Sequence, residues 1–111
     1  MLFFGKKKRI AKDPNSKQYK WQMAEMVSGK HLRYVVERFE NDEKVIGRNG
    51  SIGVKDDCLV VNTDTGIAFR GYVEQIVVSE LLSKDGVVIT GPDVERGGAE
   101  RTVVAFYVYD R

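Results

Sequence analysis

From Asn41 onward, turn-forming residues interrupt the chain every few positions, and the apolar residues between them alternate with a period of two. The strand-like segments are Val45-Ile46, Ile52–Val54, Cys58–Asn62, Ile67–Tyr72, Glu74–Leu82, Val87–Thr90 and Arg101–Tyr109. Links this short permit antiparallel neighbours and leave no room for helical crossovers between parallel strands. Asn49-Gly50, between Val45-Ile46 and Ile52-Gly53-Val54, predicts a type I′ hairpin, whose two central residues need positive φ. Asp56-Asp57, Asp64-Thr65-Gly66 and Ser83-Lys84-Asp85-Gly86 mark further turns, and Gly91 to Glu100 reads as a polar loop. In the last segment both alternating sets, Val103/Ala105/Tyr107/Tyr109 and Val104/Phe106/Val108, are apolar. That strand is expected to be central or covered on both faces.

Upstream the period is different. Tyr19, Met23, Met26 and Val27 fall at helical spacing, as do Leu32, Val35, Val36 and Phe39, with Ser28-Gly29 between the two sets. Asp13-Pro14-Asn15-Ser16 is a turn cluster that also suits a helix start. The pattern predicts one broken helix or two short ones over about residues 17–40, although Leu32–Val36 would serve equally as a strand. With 111 residues, 42% hydrophobic and 31% charged, the chain has the size and composition of one globular domain. The expected fold is α+β: a helical segment, about 17–40, packed on a mostly antiparallel sheet or half-barrel of six or seven strands. The domain is expected over 17–111, behind a basic arm at 1–16.

Convergent catalytic groups are hard to find. One histidine, His31, and one cysteine, Cys58, cannot supply the four ligands of a structural zinc site. Cys58 opens the apolar run Cys58-Leu59-Val60-Val61, which suits a buried filler better than an activated thiol. Most aspartates (Asp56, Asp57, Asp64, Asp85, Asp93) stand at turns, where their side chains hydrogen-bond the local backbone. Gly47, Gly50 and Gly53 have strand pattern on both sides and no following Gly-Lys-Ser/Thr, so a phosphate loop is not expected. Phe106, Tyr107 and Tyr109 could stack on bases, but only Arg101 and Arg111 flank them, so sheet packing is the expectation. No enzyme activity, metal or cofactor is therefore expected.

Charge is unevenly distributed. Residues 1–20 hold seven Lys and Arg against Asp13 alone, so the remainder is mildly acidic. A folded nucleic-acid platform would carry its positive charge on the body, so nucleic acid is not the expected partner. The arm Leu2, Phe3, Phe4, Lys6, Lys7, Lys8 and Arg9 joins apolar bulk to four cations, a combination suited to an anionic membrane surface or a partner. The alternatives are that Phe3 and Phe4 tuck against the domain, or that the cations make nonspecific RNA contacts. Neither a membrane-spanning run nor the basic-then-apolar order of a secretory signal occurs, which points to a cytoplasmic location.

Residues 43–91 carry a family resemblance. Glu43-Lys44-Val45-Ile46-Gly47, Gly50 to Val61 with its acidic turn Asp56-Asp57, Ile67-Ala68-Phe69-Arg70 and Glu74–Val78 resemble the opening strands of bacterial pleckstrin-homology-like and GRAM-like domains. The resemblance implies a binding scaffold. It departs in having no C-terminal helix, and its early loop offers only Arg48 where lipid-binding members cluster cations. Sequence thus leads to a non-enzymatic binding module, for a protein partner or a second copy of itself, with anionic-membrane binding through the arm as the alternative.

Overall fold

The computed structural model describes residues 13–109. One helix, α1 (Lys17–Val27), precedes seven strands: β1 (His31–Phe39), β2 (Asp42–Lys55), β3 (Cys58–Thr63), β4 (Gly66–Tyr72), β5 (Val77–Glu80), β6 (Gly86–Asp93) and β7 (Ala99–Tyr107). They form one antiparallel sheet in the order β4-β3-β2-β1-β7-β6-β5. The α+β expectation and the antiparallel pairing therefore hold, and β7 is central, between β1 and β6.

Ser16 starts the helix by accepting a hydrogen bond from the Tyr19 amide at 3.1 Å, satisfying one otherwise orphaned donor. Met23, Ala24 and Val27 then pack on the sheet against a core that includes Leu32, Val35, Ile52, Leu59, Phe69, Ile76, Ile89 and Val103. Gly29, at φ +89°, turns the chain out of the helix.

Residues 31–39 are strand, not the second helix that their spacing predicts. The reason is a β-bulge. Against β7 the register shifts between Leu32 and Tyr34, so Arg33 is an extra residue. The bulge stretches the inward-facing interval from two residues to three, Leu32 to Val35, which mimics a helical period.

Asn49-Gly50 is not a hairpin turn either, because it lies inside the 14-residue strand β2. Asn49 has φ +53°, and a Cβ on Gly50 would overlap the Asn62 carbonyl of β3. Close backbone approach explains this glycine. The positive-φ pair expected there occurs instead at Asp56 (φ +53°) and Asp57 (φ +65°), between Lys55 and Cys58. Two further boundaries differ: Val73–Gln75 is a short 3₁₀ turn ahead of β5, and half of the Gly91–Glu100 loop is paired strand, with Pro92 opposite Glu100 and a 3₁₀ turn at Val94–Arg96.

β4 and β6 touch although four strands lie between them in the sheet order, so the open sheet curls, and side chains engage groups along both edges. At β5, Tyr19 and Lys20 of α1 donate to the carbonyls of Val78 and Ile76, at 3.4 and 2.7 Å. At β4, Ala68 is the extra residue opposite β3, and its carbonyl accepts from Arg101 at 2.8 Å. Asp93 accepts the neighbouring Arg70 amide at 3.2 Å. Arg101 also forks onto Glu37, through Nε at 3.0 Å and Nη2 at 2.7 Å, and its Nη1 pairs with Asp93. Arg101 on β7 therefore links β1, β4 and β6 in a buried polar latch.

Candidate functional site

A second set of polar groups lies at the opposite end of β7. There a cleft of about 430 Å³ is lined by Lys30, His31, Glu80, Lys84, Asp85 and Tyr107, and by the chain on either side of them. Three separate segments build it. Gly29 to His31 is the exit of α1, Glu80 to Asp85 joins β5 to β6, and Tyr107 to Tyr109 leaves β7.

Backbone hydrogen bonds hold these walls. The Tyr107 amide donates to the Asp85 carbonyl at 2.8 Å, and the Val108 amide donates to the His31 carbonyl at 2.9 Å. The β5–β6 loop is closed by Leu81 N–H to Gly86 O at 3.0 Å and by Lys84 N–H to Leu81 O at 2.8 Å, with Lys84 at φ +63°. The bulged Arg33 donates from Nε to the Tyr107 carbonyl at 2.6 Å and stands 3.5 Å from Asp85 Oδ2. Its guanidinium lies 4.1 Å from the Tyr109 ring centre, beside the stacked pair Tyr34–Phe106, whose centres are 4.8 Å apart.

Electrostatics distinguish paired from unpaired groups. Asp85 is engaged by Arg33 and by the Ser83 hydroxyl. Among the described residues, neither Lys30 nor Lys84 has a carboxylate within ion-pair distance, and Glu80 has no cation. Lys30 instead stands 5.1 Å over the Tyr107 ring. The Tyr107 hydroxyl is shut off from solvent and finds no hydrogen-bond partner. Burial, with the nearby negative charge of Glu80 second, pushes its pKa up to about 12. Leu82, fully exposed, lies on the same loop as Lys84, and Val108 and Tyr109 are also exposed beside the cleft. No family model matches the chain, nor does any curated protein or solved structure.

Two smaller expectations are resolved by position. Cys58 is buried at the β2–β3 hairpin, and burial pushes its thiol pKa up, away from a reactive thiolate. His31 lies in the cleft; its β2 partner Ser51 pairs with Asn62, four residues along β3 from Cys58, so the two are not brought together. Among the described residues no three His, Cys, Asp or Glu side chains group as metal ligands, and no helix is long and apolar enough to cross a membrane. Leu2, Phe3, Phe4, Lys6, Lys7, Lys8 and Arg9 lie outside the described residues.

A second cleft of about 430 Å³ lies over Gly53, Val54, Lys55, Val60, Ile67 and Arg70, bounded by Glu95, which stands 2.9 Å from Arg70 Nε as an ion pair. Exposed Val54 and Ile67 meet there with Lys55, which has no ion pair among the described residues, but no aromatic side chain lines it. Sequence reasoning missed Lys30, Arg33 and Lys84 as site residues. It gave the aromatic run Phe106–Tyr109 only Arg101 and Arg111 as basic neighbours, whereas strand pairing brings Arg33 and Lys30 to it. No local motif marks these residues, because their proximity depends on the β1–β7 register.

Proposed function

We propose that the chain is a non-enzymatic protein-binding module and that the cleft at the end of β7 is its docking surface. The observation that carries this is the conjunction of unpaired charges with exposed apolar groups: Lys30, Lys84 and Glu80 line the cleft with Val108 and Tyr109, and exposed Leu82 lies on the same loop as Lys84. Aromatic and Arg anchors are enriched in interface hot spots, and charged groups suit the polar rim around them. The blocked strand edges support a side-chain cleft over edge-to-edge pairing as the binding mode. The scaffold of this proposal is a four-strand and a three-strand meander joined through β1 and β7, with α1 ahead of them, and we read it as pleckstrin-homology-like.

Peptides selected from an unbiased display library, mapped by amide chemical shifts on the full chain, test the site. The expected footprint covers Lys30, His31, Lys84 and Tyr107–Tyr109, with affinity falling about tenfold or more in Tyr109→Ala. Footprints confined to the second cleft, or no selected peptide at all, would overturn the reading.

The order Leu2-Phe3-Phe4 before Lys6–Arg9 favours a second reading, reversible attachment to an anionic membrane. Co-sedimentation with phosphatidylserine vesicles should then need residues 1–9 and weaken with salt. Binding that survives their deletion contradicts that reading.

A further inference from the structure

We infer that the partner of this cleft is an acidic peptide segment, with carboxylates placed for Lys30 and Lys84 next to a bulky apolar side chain that covers Leu82 and Tyr109. The inference rests on the docking reading above and names the chemistry of the occupant.

Charge complementarity points to the sign. Lys30 and Lys84 come from separate segments that line the cleft, and neither is neutralised by a described carboxylate. Asp85, the carboxylate nearest Lys84 in sequence, is already engaged by Arg33 and Ser83. Carboxylates bound at these ammonium groups would gain charge-assisted hydrogen bonds without breaking any ion pair now present. The basic segment Lys6–Arg9 of this same chain has the wrong sign to be the occupant.

The remaining groups favour a peptide over a polyphosphate. Glu80 lines the same cleft without a cation and would repel the closely spaced charges of nucleic acid or of a lipid-phosphate surface. A peptide can place its carboxylates toward the lysines and present a backbone N–H to Glu80. Leu82, Val108 and Tyr109 then supply the apolar contact that a purely ionic ligand would leave uncovered.

The unbiased selection separates the two claims. Peptides that footprint on the cleft should be enriched in Asp and Glu beside Leu, Phe or Trp. Replacing their acids with Gln should weaken binding about tenfold or more, and raising salt should weaken it further. Lys30→Glu and Lys84→Glu should each weaken the acidic peptides, and peptides with Lys in place of Glu should regain affinity for these variants. Lys84→Asn, whose side chain suits the positive φ, repeats the test by charge removal alone. Cleft-binding peptides with no acidic preference would overturn this inference while leaving the docking reading intact. No cleft footprint would sink both. Acidic peptides indifferent to Lys30→Glu and Lys84→Glu, or a phosphatidylserine vesicle or RNA oligomer that displaces peptide from the cleft in a Lys84-dependent way, would also overturn it.

Discussion

Arg101 and Tyr107 stand six residues apart on β7, roughly 20 Å along the strand, and their polar atoms are treated in opposite ways. At the Arg101 end the guanidinium reaches Glu37, Asp93 and the Ala68 carbonyl. Asp93 in turn accepts the amides of Arg70 and Glu95. Those charges are buried and mutually satisfied, so they act on the fold. At the Tyr107 end the hydroxyl has no partner, and Lys30, Lys84 and Glu80 have no ion pair among the described residues. Burying polar groups costs free energy unless they are paired. Within one strand, then, the buried Arg101 guanidinium is paired and the shielded Tyr107 hydroxyl is not, while Lys30, Lys84 and Glu80 stand exposed to solvent.

The largest test of this contrast is at the latch. Arg101→Met leaves Asp93 and Glu37 in place without their cation, and loss of one partner of a buried pair costs about 3–5 kcal/mol. Urea denaturation should show a lower midpoint by that amount. A change below about 1 kcal/mol would mean that the curl of the sheet is held by packing alone.

Acid should act on the same end. The Arg101 hydrogen bond holds the Glu37 carboxyl below its ordinary value of 4.5, although partial burial opposes this. A carboxylate whose pKa is depressed on folding contributes stability that is complete above its unfolded pKa and is lost as pH falls through the lower folded value. Stability should therefore decline below about pH 4.5, and Glu37→Gln should flatten that decline in a pH series of unfolding free energies. An unchanged slope would remove Glu37 from the latch.

Alkali should act on the other end, more weakly. With its pKa raised to about 12, Tyr107 stays neutral in the fold while an unfolded tyrosine ionises near its ordinary 10. The unfolded chain then binds fewer protons, so stability should fall between these two values. Tyr107→Phe should remove that part of the fall. Ultraviolet absorbance at the phenolate band should show one tyrosine titrating late, and its absence in Tyr107→Phe would assign it.

Much of the architecture was readable from local pattern. Turn residues at short spacing meant antiparallel strands, and the cluster ending at Ser16 suited a helix start. The doubly apolar Val103–Val108 meant a strand either central or covered on both faces, of which the structure shows the first. The errors share one cause, which is that bulges and close approaches are set by neighbours. Arg33 became an extra residue only through pairing with β7, and Gly50 needed to be glycine only because Asn62 lies against it. Asp93 does satisfy a local amide, that of Glu95, as a turn aspartate should. Its second partner, Arg101, lies across the β6–β7 connection and was not visible from its neighbours. The cleft was less legible still, since Lys30, Lys84 and Tyr107 come from three distant segments.

The most direct test of the contrast is the unfolding free energy of Tyr107→Phe at neutral pH, measured against the parent chain. Removing an unpartnered buried hydroxyl with little change of shape should leave stability unchanged or raise it by up to about 1 kcal/mol. A loss of about 1 kcal/mol or more would show that this hydroxyl serves the fold, and the two ends of β7 would no longer differ in kind.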